Sequence, residues 1–99
     1  MRGLASMIGT YEQRKVVCYE KGKLIVDTCR VTDSDKDYET GISHPRYNNR
    51  NWIIVELYDT KEQAATGHDK WVKVMTSEKL PEKLEDVSTS VFALISKLP

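Results

Sequence analysis

Seven side chains in the second half of this chain carry groups that could bind a ligand. One of them, His68, falls in a predicted helix, and the others lie in or directly after a predicted loop: His44, Arg46, Tyr47, Asn48, Arg50 and Trp52. An arginine can form two hydrogen bonds with a phosphate or carboxylate, and a tyrosine or tryptophan ring can stack on a base. The loop therefore suits a small anionic or nucleotide-like ligand. Alternatively, its Asn and Arg residues only build and solvate the loop, with Tyr47 packed beneath it.

His68 lies on the apolar stripe of its helix. We expect it to donate a hydrogen bond to a carbonyl or to Tyr58 at the edge of the core, and a ligand or catalytic role is the alternative. No phosphate-loop, nucleophile-elbow, zinc or paired-carboxylate signature joins the two histidines, Glu56 and the two cysteines. We therefore predict no catalytic residue, no cofactor and no metal site.

The acidic run Asp33-Ser34-Asp35-Lys36-Asp37 has the spacing with which a calcium loop begins. Such a loop needs a glycine at its sixth position and a glutamate at its twelfth. Tyr38 and His44 occupy these positions, so we interpret the run as a solvated turn.

A strand and a helix between Asn51 and Met75 position most of these residues. Ile53, Val55 and Leu57 alternate with Trp52, Ile54, Glu56 and Tyr58, which is the period of a pleated strand. Thr60 and Gln63 have the spacing of a capping box, so the helix begins there. Its apolar stripe contains Ala64, Ala65, His68, Trp71, Val72 and Met75, and Gly67 within it predicts a close approach of another backbone.

The first half of the chain predicts a hairpin, with strands at Lys15–Glu20 and Lys23–Thr32 joined through Lys21-Gly22. In this register Cys18 and Cys29 are too far apart for a disulfide, so both are expected to be reduced. Alternation from Asp27 onward predicts one exposed face. Tyr38 to Ser43 is a third candidate strand.

Leu80-Pro81-Glu82-Lys83 reads as the start of a C-terminal helix, because proline is favoured in a first turn. The predicted class is therefore α+β. A small antiparallel meander of three or four strands would carry one long amphipathic helix and a C-terminal helical segment.

The 99 residues suit a single domain at 7–99, preceded at 1–6 by a short leader or cloning remnant. Fifteen basic and fifteen acidic residues give a net charge of zero, which argues against nucleic-acid binding through bulk electrostatics. The sequence has no membrane-spanning run and no signal peptide. We expect a cytoplasmic protein that forms a homo-oligomer.

A pattern across loop, strand and helix resembles small uncharacterised proteins encoded by tailed bacteriophages: His44-Pro45-x-Tyr47-Asn48, Trp52-x-x-Val55-Glu56-x-Tyr58-x-Thr60 and Gly67-His68-x-x-Trp71-Val72. The resemblance covers residues 39 to about 87. It departs at Arg50, where the pattern has glycine. It implies a phage or prophage origin, with a bacterial host cell as the location, and no activity.

The sequence thus favours a phage accessory protein that acts as a non-catalytic binding module for a small anionic ligand or a host protein. A structural virion protein, such as a tail or capsid accessory, is the alternative, because an apolar C-terminal segment also suits assembly. An enzyme is the least favoured class.

Overall fold

The computed structural model describes residues 15–31 and 36–88. The predicted class is confirmed: a four-stranded antiparallel meander in the order β1-β2-β3-β4 carries one packed helix, α1. The elements are β1 Lys15–Lys21, β2 Leu24–Arg30, β3 Tyr38–Ser43, a 3-10 turn at Asn48–Arg50, β4 Ile53–Tyr58 and α1 Lys61–Met75.

The first hairpin turns one residue later than predicted. Lys21 pairs with Leu24, so the loop is Gly22-Lys23 and not Lys21-Gly22. Gly22 has a φ of +60°, and glycine at the first central position is the pattern of a type II′ turn. Cys18 consequently lies opposite Asp27, and Lys15 lies opposite Cys29. Cys18 and Cys29 therefore form no disulfide with each other, as predicted.

The prediction of an exposed face on β2 is wrong. Thr28 faces α1, and its neighbours Asp27 and Cys29, which point to the opposite side of the sheet, are also buried. A central strand covered on both faces loses the alternation of polar and apolar residues that marks a half-exposed strand.

A β-bulge in β4 changes the predicted faces of that strand. Thr40 pairs with Glu56, and the next residue, Gly41, pairs with Ile54, so Val55 is the additional residue. Ile53 and Val55 therefore join the core on the helix side. Beyond the bulge the same side carries Glu56 and Tyr58, and Leu57 no longer shares a face with Ile53.

Helix α1 begins at the predicted capping box, in which Thr60 Oγ1 accepts a hydrogen bond from Gln63 N at 3.1 Å. The buried residues of the helix are Ala64, Gly67, His68 and Met75. Ala65, which was placed on the stripe, is exposed. Gly67 does mark a close approach, although the neighbour is the tip of the Tyr58 ring and not a backbone.

The chain after α1 does not form the predicted helix at Leu80–Lys83. Residues 80–88 run without helical structure along the body of the domain. Tyr47 Oη donates to Pro81 O at 2.5 Å, and Val87 N donates to Ile54 O at 2.8 Å. The predictions at 1–6 and 33–35, and the apolar end of the C-terminal helix, fall outside the described residues. None of the helices in residues 15–31 and 36–88 has the length and apolar composition needed to cross a membrane.

Candidate functional site

Tyr47 is the centre of the loop between β3 and β4. The loop turns at His44, whose backbone O accepts from Tyr47 N and whose Nδ1 accepts from Arg46 N, both at 3.0 Å. The His44 ring lies 5.5 Å from the buried Tyr47 ring, and the Arg46 guanidinium lies 5.8 Å from the same ring. Tyr47 thus packs beneath the loop, as the second of the two sequence interpretations proposed.

Three consecutive residues of this loop are left-handed. Asn48, Asn49 and Arg50 have φ values of 48°, 52° and 70°, respectively. Hydrogen bonds from Arg50 N to Tyr47 O and from Asn51 N to Asn48 O, each 2.9 Å, close the turn. Asparagine tolerates this region, whereas arginine does so at a cost of about 1–2 kcal/mol. Strain of this kind persists where the surroundings impose it, often at binding sites.

A cavity of about 430 Å³ opens between this loop and the segment Pro81–Val87. We call it the loop groove, and its lining residues are Arg46, Tyr47, Asn48, Ile53, Glu82, Lys83, Leu84 and Asp86. Its volume lies within the range of about 300–1,000 Å³ that is usual for ligand sites. The two hydrogen bonds at Pro81 and Val87 hold the far wall at both ends.

The loop groove contains charges of both signs. Arg46 and Lys83 are cationic, and Glu82 and Asp86 are anionic. Among the described residues, these four side chains form no ion pair with each other. Asp86 Oδ1 instead accepts from the backbone N and the hydroxyl of Ser88, at 3.0 and 2.6 Å.

The structure groups some of the seven predicted site residues and separates others. Arg46, Tyr47 and Asn48 line the loop groove, and His44 contacts Tyr47. Arg50 and Trp52 do not line the groove, and Trp52 is 36% exposed. His68 lies elsewhere, because its Nδ1 bonds to Thr28, which in turn bonds to Thr40. Thr40 is four residues, or roughly 13 Å along an extended strand, from His44.

A buried chain of polar groups connects α1 to the sheet. His68 Nδ1 lies 2.8 Å from Thr28 Oγ1, which lies 2.6 Å from Thr40 Oγ1. Thr40 Oγ1 lies 3.0 Å from Tyr58 Oη, which donates to Glu56 Oε1 at 3.3 Å. We call this the polar chain. Lys70 Nζ and Trp71 Nε1 donate to the same carboxylate oxygen of Glu56, at 2.6 and 2.8 Å.

The proton count fixes the direction of the polar chain. An ionised carboxylate only accepts, and each hydroxyl has one proton to donate. Because Tyr58 donates to Glu56, Thr40 must donate to Tyr58, and Thr28 must donate to Thr40. His68 therefore donates from Nδ1 to Thr28, so Nδ1 carries a proton. This corrects the expectation of a carbonyl or Tyr58 as its partner.

The ionisation of these groups follows from their surroundings. Burial lowers the pKa of His68 below its usual 6.5, against the opposing effect of Asp69 and Asp27. Burial raises the pKa of Tyr58 to about 12, and nearby Glu56 contributes to this rise. Burial alone would raise the pKa of Glu56, but hydrogen bonds from Lys70 and Trp71 outweigh it and lower that pKa.

The chemistry of the polar chain is that of a connection and not of a reaction centre. A histidine next to a hydroxyl is the arrangement of an activated nucleophile. Here, however, Thr28 is 0% exposed and His68 is 2% exposed, so no substrate can reach them. In residues 15–31 and 36–88, no group of three His, Cys, Asp or Glu side chains is arranged to hold a metal ion.

Sequence analysis missed five of the eight residues that line the groove, and two members of the polar chain. Glu82, Lys83, Leu84 and Asp86 were assigned to a helix and were not considered as site residues. Thr28 and Thr40 look like ordinary strand residues, and their pairing depends on the register of β2 and β3. The expected hydrogen bond between His68 and Tyr58 was the one part of the sequence analysis that linked two members of the polar chain.

Comparison with protein families, with curated proteins and with solved structures finds no match to this chain.

Proposed function

We propose that this protein is a non-catalytic binding module that holds its ligand in the loop groove. The observation that carries the proposal is that Arg46, Tyr47 and Asn48, three residues selected for their chemistry, line one cavity of about 430 Å³. A small anionic ligand and a segment of a host protein are the two candidate ligand classes. A phage or prophage accessory role follows from the resemblance in sequence.

Two further features support binding at this position. Arg50 has a strained left-handed backbone two residues after Asn48 of the near wall, and strained backbone is concentrated at sites of function. The groove also combines an apolar floor, at Ile53 and Leu84, with polar groups that have no ion-pair partner among the described residues. Binding sites typically combine such a floor with a few polar groups that orient the ligand.

The test compares ligand retention in three proteins: the wild type, Arg46→Ala and the control Arg30→Ala. Arg30 is an exposed arginine near the opposite end of the sheet, where it pairs with Tyr38. Native mass spectrometry of freshly purified protein should show added mass on the wild type and on Arg30→Ala, and none on Arg46→Ala. Thermal melting should be equal for all three proteins.

A different pattern would reject the proposal. If Arg46→Ala unfolds the protein, the loop is structural and the groove explanation fails. If the wild type carries no added mass, the same three proteins become baits for a protein partner, and equal capture by all three would also reject the loop groove. The same spectra report the proposed homo-oligomer directly.

The alternative of a structural virion protein has a separate test. Purified phage particles would contain the protein at a fixed copy number if it is a tail or capsid accessory. Its absence from particles would remove that alternative.

A further inference from the structure

We infer that the loop groove recognises an extended peptide whose acidic and basic side chains flank an apolar one. This inference rests on the proposed function and names the class of ligand for the same site. It selects a protein partner over a small anion such as a nucleotide.

The first reason is the balance of charge around the groove. A phosphate-bearing ligand would gain from Arg46 and Lys83 but would also be repelled by Glu82 and Asp86. The lining contributes two charges of each sign, so the groove has no net attraction for an anion. A ligand that carries one charge of each sign can satisfy both pairs.

The second reason is the amide of Asn48. Asn48 lines the groove and is exposed, so its amide is accessible to a ligand. A primary amide offers both an acceptor and two donors on adjacent atoms. That combination complements the N–H and C=O of a peptide backbone as it does the donor–acceptor edge of a nucleobase, so the choice between these two ligands rests on the balance of charge.

The third reason is the apolar floor between the charged groups. Ile53 is buried in the core and presents its edge to the groove, and Leu84 is half buried on the opposite wall. In an extended peptide, side chains at alternate positions point to the same side at intervals of about 7 Å. An apolar residue can therefore contact this floor while residues two positions before and after it reach the charged rims.

The probes are fluorescein-labelled peptides that are blocked at both ends and share a Ser-Gly frame. Two mixed peptides contain Glu-Ser-Leu-Ser-Lys and Lys-Ser-Leu-Ser-Glu. Two single-sign peptides contain Glu-Ser-Leu-Ser-Glu and Lys-Ser-Leu-Ser-Lys. Fluorescence anisotropy should show one mixed peptide binding at least about tenfold more tightly than either single-sign peptide. ATP should not displace it, and added salt should weaken it.

Charge reversal in the protein makes the test specific. Lys83→Glu should weaken binding of the preferred mixed peptide roughly five- to tenfold and strengthen binding of the peptide with Lys at both charged positions. Lys79→Glu is the matched control, because Lys79 is exposed nearby but does not line the groove, and it should change neither affinity.

Equal or tighter binding of ATP or the doubly acidic peptide would overturn the inference, since the groove would then be a simple anion site. The proposed function would survive that result. Absence of binding by every peptide would also overturn the inference, whereas the proposed function stands or falls separately on the comparison of Arg46→Ala with Arg30→Ala.

Discussion

Gly67→Ala should destabilise the protein, although alanine is the better helix former. An ideal Cβ at Gly67 would lie 2.2 Å from Tyr58 Oη and 2.3 Å from Tyr58 Cε1. Ordinary contacts begin at 3.4 Å, so the ring or the helix would have to move by about 1.2 Å. The ring cannot turn away freely, because Thr40 and Glu56 are bonded to its hydroxyl.

The expected loss follows from three contributions. Overpacking a tight contact costs about 1–3 kcal/mol. Displacing the Tyr58 hydroxyl weakens hydrogen bonds worth about 1 kcal/mol each. The gain in helix propensity offsets about 1 kcal/mol. We therefore expect a net loss of about 2–3 kcal/mol in the free energy of unfolding, measured by urea denaturation followed by circular dichroism.

A double-mutant cycle with Tyr58→Leu tests the cause. Leucine has no atoms at the positions of Tyr58 Oη, Cε1 and Cζ, which lie near Gly67. In this background Gly67→Ala should therefore be neutral or stabilise the protein by up to about 1 kcal/mol. Thr66→Ala, at the exposed neighbouring position, controls for propensity and should shift stability by a few tenths of a kcal/mol. Equal effects of Gly67→Ala in the two backgrounds would refute the packing argument.

Three further substitutions test other parts of the structure. Arg50→Gly should stabilise the protein by about 0.5–1 kcal/mol in urea denaturation by relieving a φ of 70°, whereas Arg50→Ala, which keeps Cβ, should change little; equal effects would argue against strain. Neutral His68 has a lowered pKa, so below pH about 6.5 the unfolded chain binds a proton that the native protein does not, and stability falls. His68→Asn can still donate to Thr28 but does not titrate, so between about pH 7.5 and 5.5 it should lose up to about 1.4 kcal/mol less than the wild type; an unchanged pH profile would contradict this. Tyr47→Phe removes the bond to Pro81 O and should accelerate tryptic cleavage after Lys83; an unchanged rate would show that the bond does not hold the segment.

The sequence predicted those elements whose pattern is local. The capping box at Thr60 and Gln63 placed the start of α1 within one residue, because both partners lie in the same turn. The third strand, Tyr38–Ser43, was predicted with its observed limits. Prediction failed at Pro81, because proline in a first turn is compatible with a helix but does not impose one. Here its carbonyl bonds instead to a tyrosine that is 34 residues away in the chain.

The candidate site was only half predictable for a related reason. Arg46, Tyr47 and Asn48 are adjacent in sequence, and their chemistry is evident without a structure. The opposite wall of the loop groove depends on the path of the chain after α1, which no local pattern specifies. The polar chain likewise depends on the registers of two strand pairs, and each register is set by the whole sheet.

The additional residue in β4 gives one strand two phases of alternation. Before Val55, the residues that point towards α1 are apolar and belong to the core; after it, they are the polar Glu56 and Tyr58. In a strand of strict alternation that keeps Ile53 on the helix side, these two side chains would exchange places with Leu57. The bulge thus separates the part of β4 whose helix-facing side chains pack in the core from the part whose helix-facing side chains belong to the polar chain. Because Val55 is the additional residue, deleting it would leave Ile53, Glu56 and Tyr58 on the helix side in strict alternation, so the polar chain would persist while the core would lose one apolar side chain.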